Sequence, residues 1–414
     1  MTNRPDLRLV GGDRAPAAHA RATPLPPAFD LLAAYPGHGG FFFERKGHGV
    51  AGGPGLDANG GSVLDLLRAV SATSGVGPVV VGALPFSPGE SGRLWIPARA
   101  VRKGADGTAW LVDVTTDLDP APFTPGRVAG AFPHDAFTDL QLFERPAAAA
   151  YEAAVATAVS RIHQAELRKV VLARALDVEA GRALDPRALL HRLRAVDPSS
   201  FAFAAPTSAN ASLVGASPEL LVRRDGLEVR STPLAGSAPR SGDPEEDRAN
   251  ADALAASAKE REEHAIVVEA IAEALGDRCE RLHWDPQPTL LETANVWHLA
   301  TRFRGVLKEP APSVLDLVTA LHPTPAVGGH PAANALSTIA ELEPFERGFY
   351  AGPVGWMDAA GDGEWAIALR CAELEDARAT LFAGAGIVAD SEPEREFDET
   401  EQKFRAFLDS LRWG

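Results

Sequence analysis

Short apolar runs separated by turn-forming residues fill the first third of the chain, and this pattern predicts strands. A single helix is expected among them, at 63–70. The glycine-rich segment 47–61 lacks the Gly-Lys-Ser/Thr ending of a phosphate-binding loop and therefore predicts an ordinary loop. The strands expected in this part of the chain are 41–44, 78–82, 93–97 and 109–113.

From residue 145 onward, longer segments with helical spacing alternate with apolar runs. Proline and glycine predict a rigid turn at 321–329 and a glycine turn at the end of a strand at 232–237. The expected helices are 147–167, 186–196, 243–257 and 258–275. The expected strands are 168–176, 201–206, 211–215, 220–223, 227–232, 295–306, 349–357, 364–374 and 380–388.

The segment 381–403 combines an apolar strand, a helix start and an acidic helix. Gly384 and Gly386 leave bare backbone in the strand, where a ligand could approach closely. In the helix, Glu396, Glu399 and Lys403 fall at i, i+3 and i+7 and share one face. Such a face could hold a divalent cation beside an anion, and the alternative is a solvated acidic helix. The other acids of this segment are expected to be solvated: Glu392, Glu394 and Glu401.

Composition narrows the class of protein. The hydrophobic fraction of 45% and the charged fraction of 23% are typical of a soluble globular protein. A net charge of −16 argues against a nucleic-acid partner, and no apolar run reaches the ~20 residues that a membrane span needs. The cysteines, Cys279 and Cys371, have no ligand-like spacing and predict reduced thiols in a cytoplasmic protein. Residues 1–27 have no secretory h-region and predict a flexible lead-in.

Three charged residues stand out because they lie in apolar surroundings. Lys169 begins a predicted strand, where it is either snorkelling to solvent or partly desolvated and usable as a base. Glu219 is a lone acid between two strands, either a protonated general acid or a partner of one of the arginines at 223, 224 and 230. Arg370 lies within an apolar strand and needs an anion.

Two further residues belong with this set. Glu263 lies where the helix at 258–275 begins to be buried, so its carboxylate requires a cation. His298 lies inside a predicted strand, and such a histidine is more often a hydrogen-bonded core residue than a ligand.

In combination, these segments resemble the chorismate-utilising enzymes, the family that includes isochorismate synthase, salicylate synthase and the large subunits of anthranilate and aminodeoxychorismate synthase. The resemblance covers about 151–411 and rests on motifs in a fixed order. They are KVVLAR at 169–174, GASPELL at 215–221, TPLAGS at 232–237, KEREEH at 259–264, HPTPAVGG at 322–329, YAGPVGW at 350–356, ALRCA at 368–372, FAGAGIV at 382–388 and ETEQK at 399–403.

The resemblance implies a single large α/β (α+β) fold with two stacked, mainly antiparallel sheets flanked by helices in α-β-β-α layers. Residues 28–145 would form its divergent N-terminal part and 146–414 its chorismate-binding catalytic region. By the same resemblance Lys169 is the base that activates water and Glu219 the general acid, while Glu263 and Glu399 hold Mg²⁺ with Glu260 and Glu396 as outer partners. The positions implied for substrate binding are Gly236, His298, Ala326, Arg370, Gly384 and Lys403.

The expected reaction is the reversible, Mg²⁺-dependent conversion of chorismate to isochorismate, catalysed by a monomer for siderophore or menaquinone biosynthesis. Salicylate synthase is the first alternative, and Ala326 disfavours it because a bulkier or polar residue is expected there in that branch. Amine transfer is disfavoured by Lys169, since the aminating relatives have glutamine at that position. A non-catalytic chorismate-binding homologue is the remaining alternative, and the intact acid, base and metal-ligand set argues against it.

Overall fold

The structure is a computed structural model that describes residues 18–59, 62–72, 76–115, 125–126 and 140–412. Within these ranges the helices are a 3-10 helix at Leu31–Ala34 and α1 Val63–Ala69, α2 Ala148–His163, α3 Pro186–Val196, α4 Pro244–Ala256, α5 Ala258–Gly276, α6 Val314–Leu321, α7 Ala332–Leu342 and α8 Pro393–Arg412. The strands of the first half are β1 His19–Leu25, β2 Phe41–Arg45, β3 His48–Gly52, β4 Gly55–Asp57, β5 Ser71–Ala72, β6 Val79–Ala83, β7 Arg93–Pro97, β8 Arg99–Lys103, β9 Ala109–Thr115, β10 Gln141–Arg145, β11 Lys169–Glu179 and β12 Phe201–Pro206. Those of the second half are β13 Ala211–Ser217, β14 Leu220–Asp225, β15 Glu228–Thr232, β16 Leu234–Pro239, β17 Cys279–Trp284, β18 Thr289–Glu292, β19 Val296–Ala300, β20 Phe303–Leu307, β21 Gly329–His330, β22 Pro353–Asp358, β23 Gly363–Ile367, β24 Cys371–Glu375 and β25 Arg378–Ile387.

The described strands form three sheets. A thirteen-stranded sheet has the order β10-β11-β25-β24-β13-β12-β2-β3-β8-β9-β1-β5, with β21 paired to β11. A nine-stranded sheet has the order β17-β20-β15-β14-β23-β22-β6-β7-β4. The small third sheet is β16-β19-β18. The strand pairs are antiparallel except for β1 with β5, so the predicted fold class is confirmed.

The two large sheets face each other across one hydrophobic core, and the run Phe41-Phe42-Phe43 shows how. Phe41 and Phe43 belong to that core, and Phe41 meets Trp95 of the nine-stranded sheet edge to face, with ring centroids 5.9 Å apart. Phe42 points to the opposite face, into a second core with α3 and α8. A strand buried on both faces is continuously apolar, which explains the run. Helices α5 and α6 contact the nine-stranded sheet.

The third sheet was not anticipated, and it overturns two expectations. The segment 295–306 is not one strand but two, β19 in the small sheet and β20 in the nine-stranded sheet. The segment 232–237 is not a turn, because β16 begins at Leu234 and accommodates Gly236 at φ +81°. Glycine is permissive at positive φ, so it marks an irregular strand here instead of a chain reversal.

Three more expectations were wrong in detail. The predicted strand 364–374 is broken between β23 and β24, where Arg370 adopts a left-handed φ of 49°. The glycine-rich segment 47–61 contains β3 and β4, although residues 60–61 lie outside the described part. The predicted flexible lead-in 1–27 contributes β1, which pairs with β9, and its residues 1–17 are outside the described ranges.

The longest strand pairing among the described residues joins β11 to β25, and this pairing positions the site. Their register pairs Val171 with Gly386 and Ala173 with Gly384. Ser257 caps α5 by accepting a hydrogen bond from the backbone N–H of Glu260, which fixes the start of that helix. Among the described helices none is both long and apolar enough to cross a membrane.

Candidate active site

A cleft between β11, β25, the small sheet and helices α5 and α8 collects most of the predicted site residues. It encloses about 780 Å³, open solvent at its mouth included. The predicted residues that line it are Glu219, Gly236, Glu263, His298, Ala326, Arg370, Gly384, Glu399 and Lys403. Lys169, Glu260 and Glu396 do not line it, although Lys169 contacts the lining residue Glu263 and Glu260 contacts the lining residue Ser237. The cleft thus brings together residues from the entire segment that carries the family motifs.

Gly386 makes room for Glu263. A Cβ atom at this glycine would lie 2.1 Å from Oε1 of Glu263, so the carboxylate rests directly against the backbone of β25. At Gly384 the backbone carbonyl accepts a hydrogen bond of 2.7 Å from Nζ of Lys403. The bare backbone expected from the two glycines is present, and at Gly386 a side chain of the protein itself occupies the space.

Lys169 is completely buried, so the desolvated alternative holds and the snorkelling one does not. Its Nζ lies 2.9 Å from Oε1 of Glu263. This ion pair is not aligned as a hydrogen bond, and Nζ has no hydrogen-bond acceptor among the described residues. The predicted base therefore contacts a predicted metal ligand, a pairing between β11 and α5 that sequence spacing could not reveal.

Glu219 is 2% exposed and has no ion pair among the described residues. Burial raises its pKa to about 8, although a hydrogen bond from the backbone of Leu234 and the charge of Lys169 act in the opposite direction. Most Glu219 side chains are therefore protonated at neutral pH. The alternative of an arginine partner fails, because the three candidates pair elsewhere: Arg223 with Asp225, Arg224 with Asp362 and Arg230 with Glu228.

Two acids and a lysine lie between α5 and α8. Lys259 Nζ lies 2.5 Å from Oε1 of Glu396 and 3.5 Å from Oε1 of Glu260. Burial and the nearby carboxylates of Glu263 and Glu399 raise the pKa of Glu260 to about 7. The pKa of Glu396 is also raised, by burial and by Glu399. Both shifts come first from burial, and the neighbouring carboxylates add to them.

The carboxylate of Glu399 accepts hydrogen bonds from two donors. Lys403 Nζ lies 2.6 Å from Oε1 of Glu399, and the hydroxyl of Ser237 donates to the same oxygen at 2.8 Å. Burial opposes ionisation, but Lys403 and these hydrogen bonds outweigh it and lower the pKa of Glu399. The backbone N–H of Ser237 also donates to Oε2 of Glu260 at 3.3 Å, so this serine links carboxylates from two helices.

Arg370 is partly buried at the break between β23 and β24 and lines the cleft. Its Nη1 donates to Oγ1 of Thr293 at 3.0 Å, and its Nη2 lies 2.5 Å from Nε2 of His298. Burial lowers its pKa to about 10, which leaves it charged at neutral pH. Among the described carboxylates none lies within ion-pair distance of this guanidinium. The expected anionic partner is thus not a side chain of the described protein.

His298 both lines the cleft and belongs to a hydrogen-bond network. Its Nδ1 donates to the backbone carbonyl of Gly236 at 3.3 Å, and this assignment leaves Nε2 as the acceptor from Arg370. Burial, Arg370 and Lys403 all lower the pKa of His298 well below its usual value, so the ring is neutral. The two expectations for this residue, core hydrogen bonding and proximity to a substrate, are compatible.

A buried ion pair supports the opposite wall of the cleft. Arg347 and Glu343 hydrogen-bond to each other, and Glu343 accepts from the backbone N–H of Ala173 at 2.7 Å. Arg347 donates to the carbonyls of Val327 at 2.8 Å and Val171 at 2.7 Å. The pair connects the loop that carries Ala326 to a stretch of β11 where neither β21 nor β10 supplies a strand partner.

Sequence reasoning missed several residues in and behind the walls of the cleft. Tyr350 lines the cleft and stacks on Phe382 with ring centroids 4.9 Å apart. A Cβ at Gly384 would lie 3.2 Å from the Tyr350 hydroxyl, which places that hydroxyl beside β25. Ser237, Thr293 and Arg347 were also not selected. Ser237 lies in the motif TPLAGS and Tyr350 in the motif YAGPVGW, and membership of these family motifs is the sequence feature that could have identified them.

One of the acids expected to be solvated is not. Glu401 pairs with Arg174 of β11, with its Oε1 2.7 Å from Nη1. Arg174 is completely buried, also pairs with Glu144 and stacks over the ring of Phe397 at 4.0 Å. The expectation failed because a buried arginine, not solvent, faces this turn of α8. Glu392 and Glu394 are exposed, as predicted.

Comparison with known proteins identifies the family of this chain. A family model described as "Chorismate binding enzyme" matches residues 130–412. The isochorismate synthase DhbC of Bacillus subtilis is 38% identical over 362 residues, 86% of this chain and 86% of its own length. The isochorismate synthase EntC of Escherichia coli is 40% identical over 333 residues, 80% of either chain.

A solved structure shares the architecture as well. The structure of MenF, the menaquinone-specific isochorismate synthase from Escherichia coli, superposes with a TM-score of 0.82 and 26% identity, covering 96% of this chain and 95% of that one. The resemblance inferred from the ordered motifs is therefore confirmed: the chain belongs to the family of chorismate binding enzymes.

Proposed function

We propose that this protein is an isochorismate synthase, an isomerase that converts chorismate reversibly to isochorismate. The names of its relatives agree with this function. The observation that carries the proposal is the juxtaposition, around one cleft, of a buried lysine, a protonated glutamic acid and an arginine without a carboxylate partner among the described residues. Salicylate synthase, amine transfer and simple binding are the alternatives that the product assay below separates.

The arginine accounts for recognition of the substrate. Chorismate is a dicarboxylate, and Arg370 presents charged donors toward the cleft. Lys403 and the backbone of β25 at Gly384 lie on the same wall and complete a carboxylate site. Gly236, His298 and Ala326 line the space left for the ring.

The acid and the base account for the chemistry. Water adds at C2, the double bond shifts and the C4 hydroxyl leaves as water. Lys169, acting as the neutral amine, accepts the proton of the incoming water, and Glu219 gives its proton to the departing hydroxyl, so one water enters and one leaves. A pKa of about 8 keeps Glu219 in the form that a general acid requires. A single acid or base contributes roughly 10²–10⁴ in rate.

The carboxylates of α5 and α8 fit a hard divalent cation. Glu263 and Glu399 line the cleft, Glu260 and Glu396 do not, and burial together with the carboxylates of Glu263 and Glu399 raises the pKa of Glu260. Among the described residues no three acids or histidines are already arranged around one point, and lysines contact Glu263, Glu396 and Glu399. When bound, Mg²⁺ would hold the ring carboxylate of chorismate through hard oxygen ligands.

The deciding experiment is to incubate the purified protein with chorismate and Mg²⁺ and to separate the products by chromatography. Isochorismate alone supports the proposal. Salicylate with pyruvate would instead establish salicylate synthase, anthranilate or aminodeoxychorismate in the presence of ammonia would establish amine transfer, and binding without any product would establish the non-catalytic homologue.

The metal requirement is tested separately. EDTA is expected to abolish turnover and added Mg²⁺ to restore it, whereas activity that persists in chelator would refute the roles of Glu263 and Glu399. The proposal further includes a cytoplasmic monomer whose product enters siderophore or menaquinone biosynthesis. Size-exclusion chromatography with light scattering tests the monomer, and complementation of strains that lack either pathway's isochorismate synthase tests the product's use.

A further inference from the structure

Thr293 lies behind the cleft wall and is not among the site residues predicted from the sequence. It precedes β19, is 3% exposed and does not line the cleft. Among the described residues its hydroxyl is nevertheless one of two side-chain groups that hydrogen-bond to Arg370, at 3.0 Å from Nη1. The other is His298, and both contacts are made on the side chain of a residue held in a left-handed backbone conformation.

The hydroxyl of Thr293 is oriented as an acceptor toward the arginine. Its one proton is donated to the carbonyl of Val296 at 2.6 Å, and its oxygen also accepts from the backbone N–H of Val296 at 3.2 Å. A hydroxyl has one donor and two acceptor lone pairs. With the proton committed, the remaining lone pair is directed at Nη1 of Arg370.

His298 is likewise oriented as an acceptor toward Arg370. Its Nδ1–H is committed to the carbonyl of Gly236, so Nε2 is an acceptor for Nη2 of Arg370. Each terminal nitrogen of the guanidinium therefore donates a hydrogen bond to an acceptor that carries no charge. A carboxylate at either place would orient the group equally well, but it would also neutralise the charge that a bound anion has to meet.

We propose that Thr293 is a positioning residue for substrate binding: together with His298 it orients Arg370 toward the cleft without neutralising its charge. The inference rests on the proposed function, in which Arg370 holds a carboxylate of chorismate. Because that carboxylate is held in both the ground state and the transition state, loss of the orientation raises KM and leaves kcat nearly unchanged.

The test compares Thr293→Val, which keeps the shape and removes the hydroxyl, with Thr293→Ser, which keeps the hydroxyl. For Thr293→Val, KM for chorismate is expected to rise about tenfold, the lower end of the effect of one hydrogen bond to a charged group. Turnover at saturation is expected to stay within about twofold, and Thr293→Ser to restore most of KM. Thr293→Ala gives the same readout if the valine variant does not fold. Thr289→Val, which removes a hydroxyl bonded to the carbonyl of Ala300 in the same small sheet, is the matched control and should behave like the wild type.

Calorimetric titration with chorismate separates this inference from the proposed function. If the wild type binds chorismate without converting it, the proposed function fails, and weaker binding by Thr293→Val alone still supports the positioning role. An unchanged KM and affinity in Thr293→Val would overturn the inference, as would a serine variant as impaired as the valine one. A wild type that neither binds nor converts chorismate would overturn both.

Discussion

Gly386→Ala should disable the site through a single added methyl group. The new Cβ would lie 2.1 Å from Oε1, 2.7 Å from Cδ and 3.1 Å from Oε2 of Glu263. Ordinary van der Waals contact begins near 3.4 Å, so the nearest oxygen has to retreat by about 1.3 Å. That oxygen is the one that pairs with Lys169 at 2.9 Å.

The size of the effect follows from this displacement. A misplacement of about 1 Å in a catalytic constellation can lower turnover by about 10²-fold, and we expect a loss of that order. Overpacking a close contact typically lowers the free energy of unfolding by about 1–3 kcal/mol. The position itself tolerates alanine in other respects, because Gly386 does not have a positive φ.

The assay is steady-state turnover of chorismate over a range of Mg²⁺ concentrations, with urea denaturation measured in parallel. Glu263→Asp withdraws the carboxylate by one methylene, so Gly386→Ala should be less damaging in that background than in the wild type. Gly181→Ala, at a glycine with no atom within 4 Å of the added Cβ, is the control. Wild-type turnover in Gly386→Ala, or an equal loss in both backgrounds, would refute the proposed contact between Glu263 and β25 as the cause.

Three further outcomes follow from the buried charges. Lys169→Ala and Glu219→Ala should each lower turnover by roughly 10²–10⁴-fold while circular dichroism shows a folded protein, and near-normal turnover would remove that residue from the mechanism. The pKa of Glu219 is raised from 4.5 to about 8 in the folded protein, so the folded state binds more protons between these values and stability falls as pH rises from about 4.5 to about 8. Urea denaturation should therefore show Glu219→Gln gaining stability relative to the wild type across that interval, and a pH-independent difference would contradict the raised pKa. Glu401→Gln should lower the free energy of unfolding by about 1–3 kcal/mol, because it weakens the pairing of buried Arg174, whereas Glu392→Gln, at an exposed pair with Arg395, should change it by less than about 0.5 kcal/mol.

Hydrophobic periodicity was sufficient to predict most strands and helices, because the buried faces of this fold repeat regularly. It did not predict the helices α6 and α7, and it also failed where tertiary packing imposes an irregularity. The residues on either side of Arg370 are apolar and read as one strand, but Arg370 adopts a left-handed φ in the break between β23 and β24. Gly236 was interpreted as a turn for the same reason, since sequence does not distinguish a positive φ in a strand from one in a reversal.

The candidate site residues came from ordered motifs, but their mutual contacts did not. The ion pair of Lys169 with Glu263 joins a strand to a distant helix, and neither local pattern specifies the partner. Thr293 carries no motif that marks it, because its contribution lies in the direction of one lone pair. Glu401 was predicted to be solvated because it lies in an acidic helix, but it pairs with the buried Arg174.

The pairing of β11 with β25 has a consequence for how the protein is made. These strands are adjacent in the sheet but far apart along the chain, so β11 leaves the ribosome long before its neighbour does. Until then, Lys169 and the apolar residues around it belong to a sheet that still has an open edge, a state prone to association with other chains. Domains dominated by such distant pairings fold slowly. Synthesis of this enzyme should therefore depend on chaperones that shield the unfinished sheet, and pulse-labelled chains halted before β25 should be degraded or aggregate while chains halted after α8 persist.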